Sequence, residues 1–154
     1  MKDEKLKEII SFAIQREQEA VKFYQDLMTN VQFSERKNLL HEFEMMERSH
    51  IRVLEKLQTQ IEKESIGGIE INDVENLHIS DYIVEPSQNA ELRYQDVLII
   101  GMKREQASFT LYTDLAERSS DDDVKRLFLR LASEEAKHKL FFERIYDEEI
   151  LTQD

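Results

Sequence analysis

Apolar residues return every three or four positions in four stretches of this chain, the spacing of a helix with one buried face. In the first stretch Leu6, Ile10, Ala13, Ile14, Ala20, Val21, Tyr24, Leu27 and Met28 share a face, and Glu17 lies among them. In the second, Leu39, Leu40, Phe43, Met46, Val53, Leu54 and Leu57 form the stripe, with Glu47 and His50 inside it. The third runs from about Glu91 to Arg118 through Leu98, Gly101, Met102, Ser108, Phe109, Leu111, Tyr112 and Leu115. The fourth runs from about Asp121 to Ile150 through Leu127, Phe128, Leu131, Phe141, Phe142 and Ile145. Thr29 to Ser34 separates the first pair, and Ser119 to Asp123 the second. Both joints are short, so each pair should be an antiparallel hairpin. Ser120 is placed to cap the last helix, with Asp121 to Asp123 at its positive end. Gly67-Gly68 is placed to end the second helix.

The segment from about Lys63 to Ala90 keeps no sustained period, although Ile66, Ile69, Ile71, Val74, Leu77, Ile79, Tyr82 and Val84 lie in it. A helix of about 28 residues is about 42 Å long. An extended connection of similar length reaches roughly 90 Å. The segment is therefore long enough to return the chain to the starting end of a bundle, with short helical or strand-like pieces on the way. The predicted fold is all-α: a four-helix bundle of two helical hairpins joined by a long crossover at about 63–90, within a single domain over 1–154.

The two hairpins repeat. Glu17, Glu47 and His50 recur 88 positions later as Glu105, Glu135 and His138. The same shift maps Tyr24 onto Tyr112, Asp26 onto Asp114, Leu27 onto Leu115, Leu39 onto Leu127 and Glu55 onto Glu143. Each copy holds a Glu-x-x-His (Glu47-Arg48-Ser49-His50 and Glu135-Ala136-Lys137-His138) and, upstream, a lone Glu within Arg-Glu-Gln. Residues three apart project from one helix face about a turn apart. All six residues fall on apolar stripes. Burying an unpaired carboxylate costs several kcal/mol, and four facing one another would repel. Two divalent cations supply the missing charge, and basic residues are not at matching interior positions. Four carboxylates and two imidazoles from four helices are what a carboxylate-bridged metal pair needs.

Composition narrows the rest. One proline and three glycines leave little material for the turns of a sandwich or barrel. The net charge of −12, from 33 acidic and 21 basic residues, argues against nucleic acid and anionic membranes as partners. With no cysteine, disulfides, thiolate zinc and iron–sulfur centres are excluded. The start of the chain shows no signal peptide and no apolar run long enough to span a bilayer, so a cytoplasmic protein is expected.

Oxygen and nitrogen ligands suit iron or manganese and do not choose between them. Six protein ligands over two ions leave open positions for a small oxidant, hydrogen peroxide or dioxygen. Each His must be neutral to bind, so loading should weaken in acid. Tyr24 and Tyr112 each follow a ligand Glu by seven residues. That puts each ring on the ligand stripe about 10 Å along the axis, as core packing or as a hydrogen-bonding or electron-supplying group near the metals. His41 falls off the ligand face and His78 lies in the crossover. Both are expected as surface or packing residues. Glu44, one turn before Glu47, is expected in a salt bridge or in solvent.

These residues closely resemble the ferritin-like di-iron carboxylate superfamily, and within it the rubrerythrin-like proteins, over nearly the whole chain. The resemblance implies a di-iron centre, with Glu17 and Glu105 as terminal carboxylates, Glu47 and Glu135 as bridging ones, and His50 and His138 as terminal imidazoles. It also implies a homodimer and reduction of hydrogen peroxide. Full-length rubrerythrins add a cysteine-ligated iron domain that supplies electrons. This chain has no cysteine, so its electron donor should be separate, such as rubredoxin. Peroxidase-type members also carry a second carboxylate one turn after the third-helix Glu. Here that position is Ser108, whose repeat partner is Ala20. Three readings follow: an oxidoreductase reducing hydrogen peroxide or dioxygen at two iron ions (manganese or a mixed pair possible), a ferroxidase or iron-handling protein, and a metal-stapled interaction bundle.

Overall fold

The computed structural model describes residues 2–63, 71–84 and 93–151. Four long helices occupy most of them: α1 Lys2–Met28, α2 Lys37–Lys63, α3 Tyr94–Arg118 and α4 Asp122–Ile145. The all-α, four-helix class read from the stripes is correct. The chain falls into two compact units. One runs through Ile79 and takes in Arg118–Asp121; the other is Ser80–Glu117 with the chain from Asp122 onward.

Hairpin 1 is α1 with α2. Their polar ties run in opposite chain order, as antiparallel helices require: Gln58 Nε2 donates to Ser11 Oγ at 2.6 Å, and Gln25 Nε2 to Glu44 Oε2 at 3.2 Å. Leu6, Ile9, Ile10, Ala13, Val21, Tyr24 and Leu27 of α1 are buried, as are Leu40, Phe43, Leu54, Leu57 and Ile61 of α2. Leu39 departs from its expected place and is 40% exposed, while its neighbour Leu40 is fully buried. Successive helical residues are about 100° apart, so only one of two adjacent leucines can face the core. The turn is a short 3₁₀ segment, Val31–Arg36, anchored by buried Phe33. It starts where the Asn30 side chain accepts a hydrogen bond from Gln32 N at 2.8 Å, a cap of the kind Asn favours.

The same unit takes in the first part of the crossover. Ile71, Val74 and Leu77 are buried at three-residue spacing, which suits the 3₁₀ turn at Val74–Asn76. Asp73 enters that turn with φ 58°, a left-handed conformation Asp tolerates. Its carboxylate accepts a hydrogen bond from the Asn76 side chain. Ile71 pairs with Ser119 in an isolated antiparallel bridge. Asn72 N donates to Arg118 O and Asn72 Nδ2 to Ser120 Oγ, both at 2.7 Å. The Ser120 hydroxyl is thus engaged by the crossover. Asp121, not Ser120, immediately precedes α4, whose first turn carries Asp122 and Asp123. The short helical and strand-like pieces expected in the crossover are these turns and this bridge. Gly67-Gly68 and Pro86 lie outside the described residues.

Hairpin 2 is α3 with α4. Tyr112 stacks on Phe128 with ring centroids 6.3 Å apart, and Lys139 reaches Gln106 at 2.6 Å. A Cβ on Gly101 would stand 2.9 Å from three atoms of the Phe142 ring, so a glycine is what lets that ring seat against α3. After Ile145 the helix widens into π turns over Tyr146–Ile150, closed by Leu151 N on Tyr146 O at 3.1 Å. Helix four therefore stops being α-helical five residues before the expected Ile150. The Tyr94 hydroxyl donates to Glu149 in these turns, holding them to the start of α3. A second 3₁₀ turn, Ile79–Tyr82, ends on buried Tyr82, whose hydroxyl donates to Asp114 Oδ2 at 2.6 Å. Among the described residues, no helix is long and apolar enough to cross a membrane.

Candidate metal centre

Each hairpin delivers one triad. In hairpin 1, Glu17 comes from the middle of α1, and Glu47 and His50 from one face of α2. All three are essentially inaccessible to solvent. His50 Nδ1 lies 2.7 Å from Glu17 Oε2 and 3.4 Å from Glu47 Oε1. In hairpin 2, Glu105 comes from α3 and Glu135 and His138 from α4, again all buried. There the ring sits further off, with His138 Nδ1 3.8 Å from Glu105 Oε1. Within each triad one ligand atom per residue lies within 4.8 Å of the others, a spacing that can hold a metal ion. All six expected residues are thus where the sequence placed them, on the buried faces.

The electrostatics show what this arrangement lacks. Burial pushes the Glu105 carboxyl up from 4.5 to about 8, and the neighbouring Glu135, by its charge and a hydrogen bond, pushes the same way. His138 pulls in the opposite direction without compensating. Without a cation, then, Glu105 keeps its proton at neutral pH. A divalent ion reverses this, because a carboxylate beside it is favoured over a carboxylic acid. The donor set of carboxylate oxygens and imidazole nitrogens fits iron or manganese.

Tyr24 and Tyr112 are both buried, as their place on the stripes required. Tyr24 meets Phe23 and Phe43 edge-on, at centroid distances of 5.8 and 5.6 Å. Tyr112 lies nearly parallel to Phe128, at 17°. Ser108 is half-buried on α3, so no carboxylate occupies that turn. His41 and His78 are exposed and join no metal-capable group among the described residues. Glu44 is in the salt bridge expected of it, with Arg48 at 2.8 Å, and it is more buried than a solvent position would be, at 7%. Its Oε2 also accepts from Gln25, so it serves the α1–α2 packing. Two features escaped the sequence reading: the Tyr82–Asp114 bond and the Lys139–Gln106 bond. The second had a signal, because Lys139 replaces the apolar Ile51 of the first repeat immediately beside a ligand.

Buried Glu/His triads on paired helices define a class, the carboxylate metal proteins built on helical hairpins. The Rubrerythrin family model matches residues 8–146, nearly the whole of the 154-residue chain. The chain belongs to the rubrerythrin family. No curated protein and no solved structure gives a significant match.

Proposed function

We propose that the two triads act as a single centre for two iron ions and that the protein reduces hydrogen peroxide there. The observation that carries this reading is the burial of six ligands in two repeated triads, with Glu105 held protonated near neutral pH unless a cation replaces its proton. Glu47 and Glu135 would bridge, with Glu17, Glu105, His50 and His138 as outer ligands. Bound as a ferrous pair, the ions supply the two electrons that convert hydrogen peroxide, with two protons, into two waters.

The chain does the remaining work. The carboxylates and imidazoles fix the cations. The apolar stripes exclude bulk water, which strengthens every charge interaction inside. Tyr24 and Tyr112, buried on the same stripes, are the nearest candidate hydroxyls for positioning or proton delivery. These 154 residues contain no cysteine. The electrons therefore come from a separate donor, for which a rubredoxin-type protein is the natural candidate. A homodimer, manganese or mixed-metal loading, and action in the cytoplasm belong to the same reading.

A ferroxidase role is the second reading, and Ser108 is the observation that favours it. The triads repeat without an extra carboxylate on α3, which suits binding and oxidation of ferrous iron. Anaerobic loading with ferrous iron, then one equivalent of peroxide or dioxygen, separates the two. Rapid stoichiometric oxidation by peroxide, with turnover once reduced rubredoxin is added, is the expected result. Accumulation or release of ferric iron beyond two ions per chain would replace the peroxidase reading with the ferroxidase one. Indifference to both oxidants, with metal still raising the melting temperature, would leave only the structural staple.

A further inference from the structure

Beside the hairpin 2 triad, a chain of polar contacts ties α3 to α4. Lys139 Nζ donates to Gln106 Oε1 at 2.6 Å, and Gln106 Nε2 donates to Thr110 Oγ1 at 3.0 Å. The Thr110 bond fixes the amide so that its oxygen faces the ammonium. Glu143 stands 3.8 Å from the same ammonium, one turn further along α4. Gln106 directly follows the ligand Glu105, and Lys139 directly follows the ligand His138. A hydrogen bond from an ammonium is shorter and stronger than a neutral one. This one sets the separation of the two backbones at the level of the ligands.

Hairpin 1 is built differently at the same places. The counterparts of Thr110, Gln106 and Lys139 are Lys22, Gln18 and Ile51. Ile51 has no donor, and Gln18 is exposed. The ligand spacing differs in parallel: 2.7 Å from His50 to Glu17, against 3.8 Å from His138 to Glu105. The unclamped hairpin is the one in which imidazole and carboxylate have closed onto each other.

We propose that Lys139 is a positioning residue, whose clamp on Gln106 holds Glu105 and His138 at the spacing a metal ion needs, so that the hairpin 2 triad fills first. An ion entering hairpin 1 must first displace the 2.7 Å His50–Glu17 contact; an ion entering hairpin 2 meets ligands already set apart. The inference rests on the reading that the triads hold metal.

The test is anaerobic titration of the full chain with Mn²⁺, comparing wild type, Lys139→Met and Lys139→Arg. Wild type should show two binding steps of different affinity. Lys139→Met should weaken the tighter step about tenfold, as loss of a group supporting a ligand does, and leave the weaker step unchanged. Lys139→Arg, which still donates, should restore the tighter step. Melting of the metal-free proteins provides the control. If Lys139→Met lowers the melting temperature but leaves both dissociation constants at wild-type values, the clamp is only structural and the proposal is wrong. If wild type binds no Mn²⁺, the metal reading itself falls.

Discussion

Ala13 and Leu54 are buried in hairpin 1; their counterparts in hairpin 2 are Gly101 and Phe142. One side chain has lost a methyl, and another has grown from an isobutyl group to a ring seated where that methyl would be. A second exchange lies nearer the turns. Leu40 and Phe43 in α2 correspond to Phe128 and Leu131 in α4, so the aromatic has moved one turn along the helix. With it, the contact to the repeat tyrosine has gone from edge-on at Tyr24 to stacked at Tyr112. The six ligand positions show no such drift. Core positions answer to total volume, which two neighbours can share in more than one way. A ligand position answers to donor chemistry, and only one residue type supplies it.

The largest expected effect tests what the two hairpins have in common. A ligand that binds only the folded chain, at a free concentration about 1,000 times its dissociation constant, adds about 4 kcal/mol. For a chain of this size that is on the order of ten degrees in melting temperature per ion. Chelation followed by calorimetry should show a fall of that order, and Glu47→Ala or Glu135→Ala should erase most of the difference between loaded and stripped protein. Equal melting temperatures with and without metal would mean the triads are shared for some other reason.

The next effect is a pH dependence of the metal-free protein. The Glu105 carboxyl is raised from 4.5 to about 8 in the fold, so the folded state holds a proton that the unfolded chain releases. Stability from this source is fully present below about pH 4.5 and is lost as the pH rises through about 8. Metal-free melting temperatures should fall across that window, and Glu105→Gln should flatten the fall. An unchanged slope in Glu105→Gln would show that Glu105 does not carry the buried proton.

The packing exchange predicts smaller, paired effects. Gly101→Ala should destabilise hairpin 2 by about 1–3 kcal/mol through overpacking against Phe142, less the ~1 kcal/mol that alanine gains in a helix. Adding Phe142→Leu should remove the clash and rebuild the hairpin 1 solution. Chemical denaturation would detect this, and a double variant no better than Gly101→Ala would break the comparison. Smallest is Tyr82→Phe, which removes the hydroxyl bond to Asp114 and should cost about 1 kcal/mol. Asp26, the counterpart of Asp114, is exposed and pairs with Lys22 at 3.6 Å, so Asp26→Asn should change stability by much less.

Much of this was legible from periodicity. Helices outlast local noise, and Glu17, Glu47, His50, Glu105, Glu135 and His138 stood out because carboxylates rarely sit on apolar stripes. The misplacement of Leu39 shows the limit. Adjacent apolar residues compete for one face, and only packing chooses between Leu39 and Leu40. The crossover was hardest because its rule is different. Ile71, Val74 and Leu77 follow a three-residue spacing too short to establish a period, and the segment is ordered by contacts with residues over 40 positions away, at Arg118, Ser119 and Ser120. The Lys139–Gln106 bond was hidden for a related reason. Lysine and glutamine on a helix usually face solvent, and only the partner helix reveals that they meet.

The central claim is that six ligands from two hairpins hold one pair of ions. Electron paramagnetic resonance of the chain loaded with two equivalents of Mn²⁺ tests it most directly. Ions sharing bridging carboxylates at roughly 3.5–4 Å should give a spin-coupled spectrum that Glu47→Ala or Glu135→Ala abolishes. A spectrum of two isolated Mn²⁺ ions, indifferent to both substitutions, would contradict it.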